Sequence, residues 1–171
     1  MIDVNVVRQA KEGNKESFAQ VYDMIAPELY RVALYMLGND FDAQDAVSET
    51  FVEAYKGIKN LREEGSFKKW MLTILSIKCK RRLGGYIKDR KNVDIDEMID
   101  LQSPEADSPN EEIMSVREAL GQLSPQERQI VTLATIQGYT TREVAEMLSL
   151  PHGTVSSKLH RTLKKLQKML T

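Results

Sequence analysis

The chain has 171 residues, 42% hydrophobic and 29% charged, enough apolar material for a packed core and too much for a wholly disordered polymer. Its 24 Lys/Arg against 25 Asp/Glu give a net charge of −1, which excludes a uniformly basic nucleic-acid coat and leaves only an uneven distribution for polyanion binding. A single cysteine, Cys79, closes no intramolecular disulfide and builds no metal site alone; no apolar run reaches the ~18 residues of a bilayer span, and the first eleven residues carry no secretory core, so the expectation is a cytoplasmic protein without a membrane segment.

In chain order, Phe18, Val21, Tyr22 and Ile25 recur at helical spacing. Pro27 then reads as the first residue of a new helix carrying Leu29, Val32, Ala33, Met36 and Leu37, stopped by Gly38-Asn39. Asp42 is placed to cap a third helix with Val47, Phe51, Ala54, Tyr55 and Ile58 on one face. Residues 61–65 read as a loop, and Ser66 as the cap of a fourth helix bearing Phe67, Trp70, Met71, Ile74 and Leu75. Trp70, on that apolar face, reads as core; Gly84-Gly85 reads as the break that ends the helix.

Residues 88–111 are acidic, poor in large apolar side chains and interrupted by two Ser-Pro pairs, and read as a linker with a turn of helix around Glu97. Beyond it a helix near Asn110 uses Ile113, Val116 and Leu120. Ser124-Pro125-Gln126-Glu127 and Thr140-Thr141-Arg142-Glu143 both have capping-box spacing. Leu150 to Gly153 reads as a tight turn, and a last helix, 154–170, buries Val155, Leu159, Leu163, Leu166 and Leu170. No strand alternation or long repeat is evident, so the expected class is all-α: two small helical domains, residues 1–87 and 112–171, joined by the linker 88–111.

Charge is distributed in blocks. Lys56 to Lys91 carries 12 Lys/Arg against three acids, Asp94 to Glu118 nine acids against Arg117 alone, and the stretch from His152 onward five Lys/Arg and no acid. Two basic blocks in separate helical units point to a polyanion. A short helix, a tight turn and a longer helix with a polar outer face form a helix-turn-helix pattern, whose second helix enters a major groove by its amino end. That end carries His152, Thr154, Ser156, Ser157, His160 and Arg161. Arg161 has the fork geometry for a bidentate contact, and Lys158, Lys164 and Lys165 sit to neutralise phosphates.

The segment "REVAEMLSLPHGTVSSKLHRTLKKL" resembles the sigma-4 domain of bacterial RNA polymerase sigma factors. "ESFAQVYDMIAPELYRVALYMLGNDFDAQDAVSETFVEAYKGI", followed by "GSFKKWMLTIL", resembles the sigma-2 domain of the extracytoplasmic-function (ECF) class. The resemblance implies a transcription initiation factor that directs core polymerase to minus-thirty-five and minus-ten promoter elements and melts the duplex. It assigns Arg142, Thr154, Ser156, Ser157, Lys158, His160, Arg161 and Lys164 to the minus-thirty-five element. Arg62, Ser66, Lys78, Lys80, Arg81 and Arg82 fall to the minus-ten strand, and Asp42, Asp45, Ser48 and Glu49 to a coiled coil on the polymerase beta-prime subunit. Ser48 stands where the family usually has Gln, Ile77 where many members have a base-reading Asn, and Ser156 where Lys or Arg is frequent. Further implied partners are the polymerase beta flap and an anti-sigma factor, and the acidic linker is expected to imitate RNA in a positively charged channel. No catalytic residue, metal site, cofactor or small-molecule substrate is expected. Two other readings fit the residues alone: a helix-turn-helix regulator acting without polymerase, and a co-sigma-type interaction protein.

Overall fold

In the computed structural model, which describes residues 2–89 and 111–170, the chain forms eight α-helices and, among the described residues, no strand. They are α1 Val4–Lys11, α2 Lys15–Leu37, α3 Asp40–Gly57, α4 Phe67–Asp89, α5 Glu111–Gly121, α6 Pro125–Val131, α7 Thr141–Leu148 and α8 His152–Leu170. The expected turn around Glu97 lies outside the described residues.

Helices α1 to α4 make the first lobe. Asn14 caps α2 by accepting from the Ser17 N–H, and Gly38 ends it with φ of 81°, a left-handed conformation that costs glycine little. Pro27 does not begin a helix but lies inside α2. Val21, Ile25, Leu29 and Val32 keep one buried face in register across it, while Pro27 itself is exposed. Burial of that face outweighs the ~3 kcal/mol that an interior proline costs. Asn39, not Asp42, caps α3: its side chain accepts from the Asp42 N–H at 2.8 Å. α4 likewise runs on through Gly84 and Gly85 to Asp89; glycine weakens a helix interior by ~1 kcal/mol without forbidding it, and Leu83, 3% exposed, holds the preceding turn to the core. The apolar faces of α2, α3 and α4 meet in a core that includes Ile25, Leu29, Met36, Phe51, Met71 and Leu75. Trp70 packs on that core as expected, 6.1 Å from the Phe67 ring. A Cβ at Gly57 would touch its indole at 3.5 Å.

The second lobe is built on its caps. Ser124 accepts from the Glu127 N–H, and Thr140 and Glu143 form the full capping box at α7. After α6 the chain widens into a single π turn, Thr132–Ile136, where the Gln137 N–H reaches back five residues to the Thr132 carbonyl. Gly138, at φ 82°, then turns the chain toward α7. Ser149, at φ 55°, is the one described non-glycine with positive φ and closes α7. α8 begins at His152, two residues before the expected start. Its buried stripe is Val155 and Thr162 with Leu159 and Leu166 partly covered, whereas Leu163 and Leu170 are exposed. The stripe facing α6 and α7 follows a 4-3-4 spacing, and Leu163 sits one residue off it.

The lobes pack together. Ile130, Leu133, Val144, Ala145, Met147, Leu148 and Val155 belong to the same buried cluster as the core of the first lobe. α7 and α6 lie against α4, and α6 also against α2.

Candidate nucleic-acid interface

The acids expected to meet polymerase lie along one side of α3. Asp42 is partly covered, and Asp45, Ser48 and Glu49 are exposed. Packing of α3 on α4 brings Arg82 among them. Its guanidinium donates to Glu49 Oε1 at 2.6 Å and Asp45 Oδ2 at 3.1 Å, with Asp42 Oδ1 at 3.5 Å. Sequence alone divided these four charges between two roles, and the fold joins them. Lys78 is also occupied, 2.5 Å from Glu53 Oε2. Lys80 and Arg81 are exposed and, with Ile77, line a cleft of about 280 Å³ closed on the other side by Met147, Leu148 and Ser149. Arg62 is exposed in the loop before α4, and Ser66 ends a 3-10 turn, Glu64–Ser66.

That loop is fastened by α1, an element that the sequence reading does not include. Arg8 and Lys11 lie 3.8 and 3.6 Å from Glu64 Oε1. Backbone hydrogen bonding at Glu64, then these two cations, holds its carboxyl below the ordinary value. The three-residue spacing of Val7 and Ala10, both buried, is the signal that could have found the helix. Cys79 is fully buried inside α4, and desolvation pushes its thiol up to about 12 despite nearby Arg82.

In the second lobe, Thr154 and Ser156 are partly covered on the first turns of α8, while Ser157, His160, Arg161 and Lys164 are exposed there, and Arg142 is exposed on α7. Lys158 is bonded to Gln126 of α6. Arg161 borders a cleft of about 420 Å³ between α6 and α8, shared with Glu127, Lys158, Thr162 and Lys165; Lys165 is held by Glu127 at 3.1 Å. Three cations against one carboxylate leave this rim positive. His152 is engaged within the lobe. Its Nε2 lies 2.9 Å from Thr141 Oγ1 and 3.4 Å from Ser156 Oγ, so it ties the start of α8 to the start of α7. Arg128 of α6 is fully buried, and desolvation pulls it down to about 10, which leaves it charged at neutral pH.

Among the described residues no group of His, Cys, Asp or Glu could hold a metal ion, and no helix is long and apolar enough to cross a membrane. A helix-turn-helix with an exposed basic rim, packed on the first lobe with its own basic helix α4, defines a helical protein of the DNA-binding class. Known proteins make this narrower. The Sigma-70 region 2 profile matches residues 21–86, and the Sigma-70, region 4 profile matches residues 113–166, together more than half of the chain. The chain is 27% identical to the ECF RNA polymerase sigma factor BldN of Streptomyces coelicolor, over 98% of its own length and 65% of that protein's. It is 26% identical to the ECF RNA polymerase sigma factor SigW of Bacillus subtilis, over 96% and 94%. Its fold matches that of CnrH, solved in complex with the cytosolic domain of CnrY, with a TM-score of 0.70 and 23% identity over 98% of this chain and 96% of that one. The chain belongs to the sigma-70 family, and relatives of near-equal length such as SigW are of its ECF class.

Proposed function

We propose that the chain is a transcription initiation factor that binds core RNA polymerase and directs it to promoters, acting in the cytoplasm and without chemistry of its own. The observation that carries this reading is the presence, in one chain and in family order, of both the region 2 and the region 4 lobes. A regulator that binds duplex DNA alone needs only the second.

In this reading the first lobe, within residues 1–87, meets the polymerase beta-prime coiled coil through Asp42, Asp45, Ser48 and Glu49. Arg62, Ser66, Lys80 and Arg81 follow the minus-ten strand, with phosphates neutralised along the basic helix. Lys78 and Arg82 serve that strand only by exchanging carboxylate partners for phosphate. The second lobe, within 112–171, reads the minus-thirty-five element with Ser156, Ser157, His160 and Arg161, while Arg142, Thr154, Lys158 and Lys164 hold the backbone. Residues 88–111 tether the two. Exposed Leu163, Met169 and Leu170 on α8 offer an apolar edge to the polymerase beta flap. Because CnrH is held by the cytosolic part of CnrY, and a second similar structure joins the sigma factor RpoE to the anti-sigma factor NepR, an anti-sigma protein is the expected regulator of this chain as well.

The test is in vitro transcription with core polymerase over a library of promoters, with and without the chain. Transcripts that depend on the chain are expected. Duplex binding without polymerase and no gain in transcripts would replace this reading with that of an independent regulator. In a pull-down, Asp45→Lys is expected to abolish association with core polymerase while the chain stays folded by circular dichroism.

A further inference from the structure

The loop of residues 61–66, which carries Arg62 and Ser66, is pinned at both ends and near its middle. Leu61 at its start and Phe67 just beyond its end are buried, 5% and 1% exposed. Between them Arg62, Glu63 and Gly65 are exposed, and Glu64 reaches out of the loop to Arg8 and Lys11 of α1. Helix α1 is itself fixed. Val7 and Ala10 are buried in the core of the first lobe, Asp3 caps the helix by accepting from the Asn5 N–H, and Gln9 Oε1 accepts from the Ser17 hydroxyl of α2 at 2.9 Å. The helix also lies against two 3-10 turns, Ile58–Asn60 before the loop and Glu64–Ser66 at its close. Gly65, next to Glu64, has no left-handed φ, and a Cβ there would meet nothing within 4 Å. Neither backbone conformation nor packing in this chain calls for glycine at that place, so its effect is to loosen the loop. The hold at residue 64 opposes the freedom at residue 65.

We propose that Arg8 and Lys11 are positioning residues for the minus-ten strand: through Glu64 they keep the loop in its strand-receiving shape before DNA arrives, without touching the DNA themselves. This rests on the assignment of Arg62 and Ser66 to that strand made above. Those two residues flank Glu64 at equal distance along the chain, so fixing residue 64 constrains both. A loop already ordered loses less conformational freedom when its ligand binds, and the difference appears as affinity. The charges alone would act the other way. Glu64 is a carboxylate beside the path of a polyanion, and repulsion makes it a hindrance to binding. Were α1 instead a further phosphate-binding element, Glu64 would compete for its two cations, and removing the carboxylate would strengthen binding. The two roles of α1 differ in sign at one residue.

The experiment uses the full chain, free and assembled with core polymerase. In the free chain, protection of the amides of residues 62–66 against hydrogen exchange reports the hold. In the assembly, binding of a short fluorescein-labelled single DNA strand of mixed sequence is measured at fixed salt, over the binding by core polymerase alone. Glu64→Gln, at a half-buried loop position, is expected to lower the protection and to weaken strand binding about threefold, the scale of an ion pair open to solvent. Arg8→Gln combined with Lys11→Gln is expected to lower the protection of the same amides, which places the hold on α1. Gly65→Ala added to Glu64→Gln is expected to restore most of both readouts, because it stiffens the backbone without a clash. A lost charge contact with DNA could not be recovered in that way. Stronger strand binding by Glu64→Gln, unchanged protection in either altered chain, protection lost with strand binding unaltered, or no recovery with Gly65→Ala each overturns the proposal. An unaltered assembly that binds the strand no better than core polymerase overturns the minus-ten reading and the positioning role with it, while the exchange data still show whether α1 holds the loop.

Discussion

In the first lobe two of the cations that the sequence offers to DNA are tied to carboxylates, Arg82 to Asp45 and Glu49 and Lys78 to Glu53, while Arg62, Lys80 and Arg81 stay exposed. In the second lobe, His160, Arg161 and Lys164 stand exposed on α8 without a carboxylate partner among the described residues. The apolar construction is opposite. The first lobe stacks the faces of three helices of 18 to 23 residues, whereas the second sets one long helix, α8, against short pieces held by caps and a π turn. A basic stretch of sequence is therefore not a measure of basic surface. Long amphipathic helices packed side by side bring flanking charges together and pair some of them, while a helix at the edge of a small lobe keeps free the charges on its outward face.

The largest effect that would sharpen this contrast is on stability. Leu75→Ala, in the core of the first lobe and fully buried, is expected to lower the unfolding free energy by about 2–5 kcal/mol in urea titration. Next comes recognition. Arg161→Ala is expected to weaken binding of the polymerase complex to a matched promoter by ~1–3 kcal/mol at fixed salt, and an unchanged affinity would remove Arg161 from the reading surface. Third is the cap of α7. Thr140→Ala is expected to cost about 1 kcal/mol in thermal unfolding. The same cap carries a pH signature. Glu143 is held below its ordinary value of 4.5 by hydrogen bonds from Thr140 and by Lys69. Because the folded carboxyl is the stronger acid, its contribution is present above 4.5 and fades as pH falls through the lowered folded value. Acid titration of the second lobe should show this loss, and the Glu143→Gln variant should not. The smallest effect is on α8, where Leu163→Ala, at a position 40% exposed, should change stability by no more than about 0.5 kcal/mol. A loss as large as that of Leu75→Ala would mean that the second lobe has an apolar core reaching beyond the stripe of Val155, Leu159, Thr162 and Leu166.

Much of the architecture is legible in the sequence because local signals agree with the global fold. The two capping sequences, Gly38 and the Ile74-to-Leu75 face all read correctly, each being decided within one turn of helix. The misreadings have a common cause. Pro27 and Gly84-Gly85 read as helix ends because their intrinsic cost is visible in the sequence, but what outweighs it is tertiary: the buried face on both sides of Pro27, and Leu83 held to the core just before Gly84. Leu163 reads as buried because it is leucine, and Thr162, which takes its place, is polar. At the candidate site, the exposed positions of α8 follow from periodicity. The engagement of Arg82 and Lys78, the hold of Arg8 and Lys11 on Glu64, and the bridge from Gln129 to Ser76 join residues 25 to 56 positions apart, and no local pattern announces such pairs.

The π turn at Thr132–Ile136 sets how the second lobe answers a change in chain length. It holds one residue more than an α-helical turn would. Deleting a single residue there would let the helix close on ordinary α-helical bonds, while Gly138, the cap at Thr140 and the reading helix kept nearly the same facing. The same deletion in a regular turn of α8 would swing every later position by about 100° around the axis. The widened turn is slack that the lobe can lose.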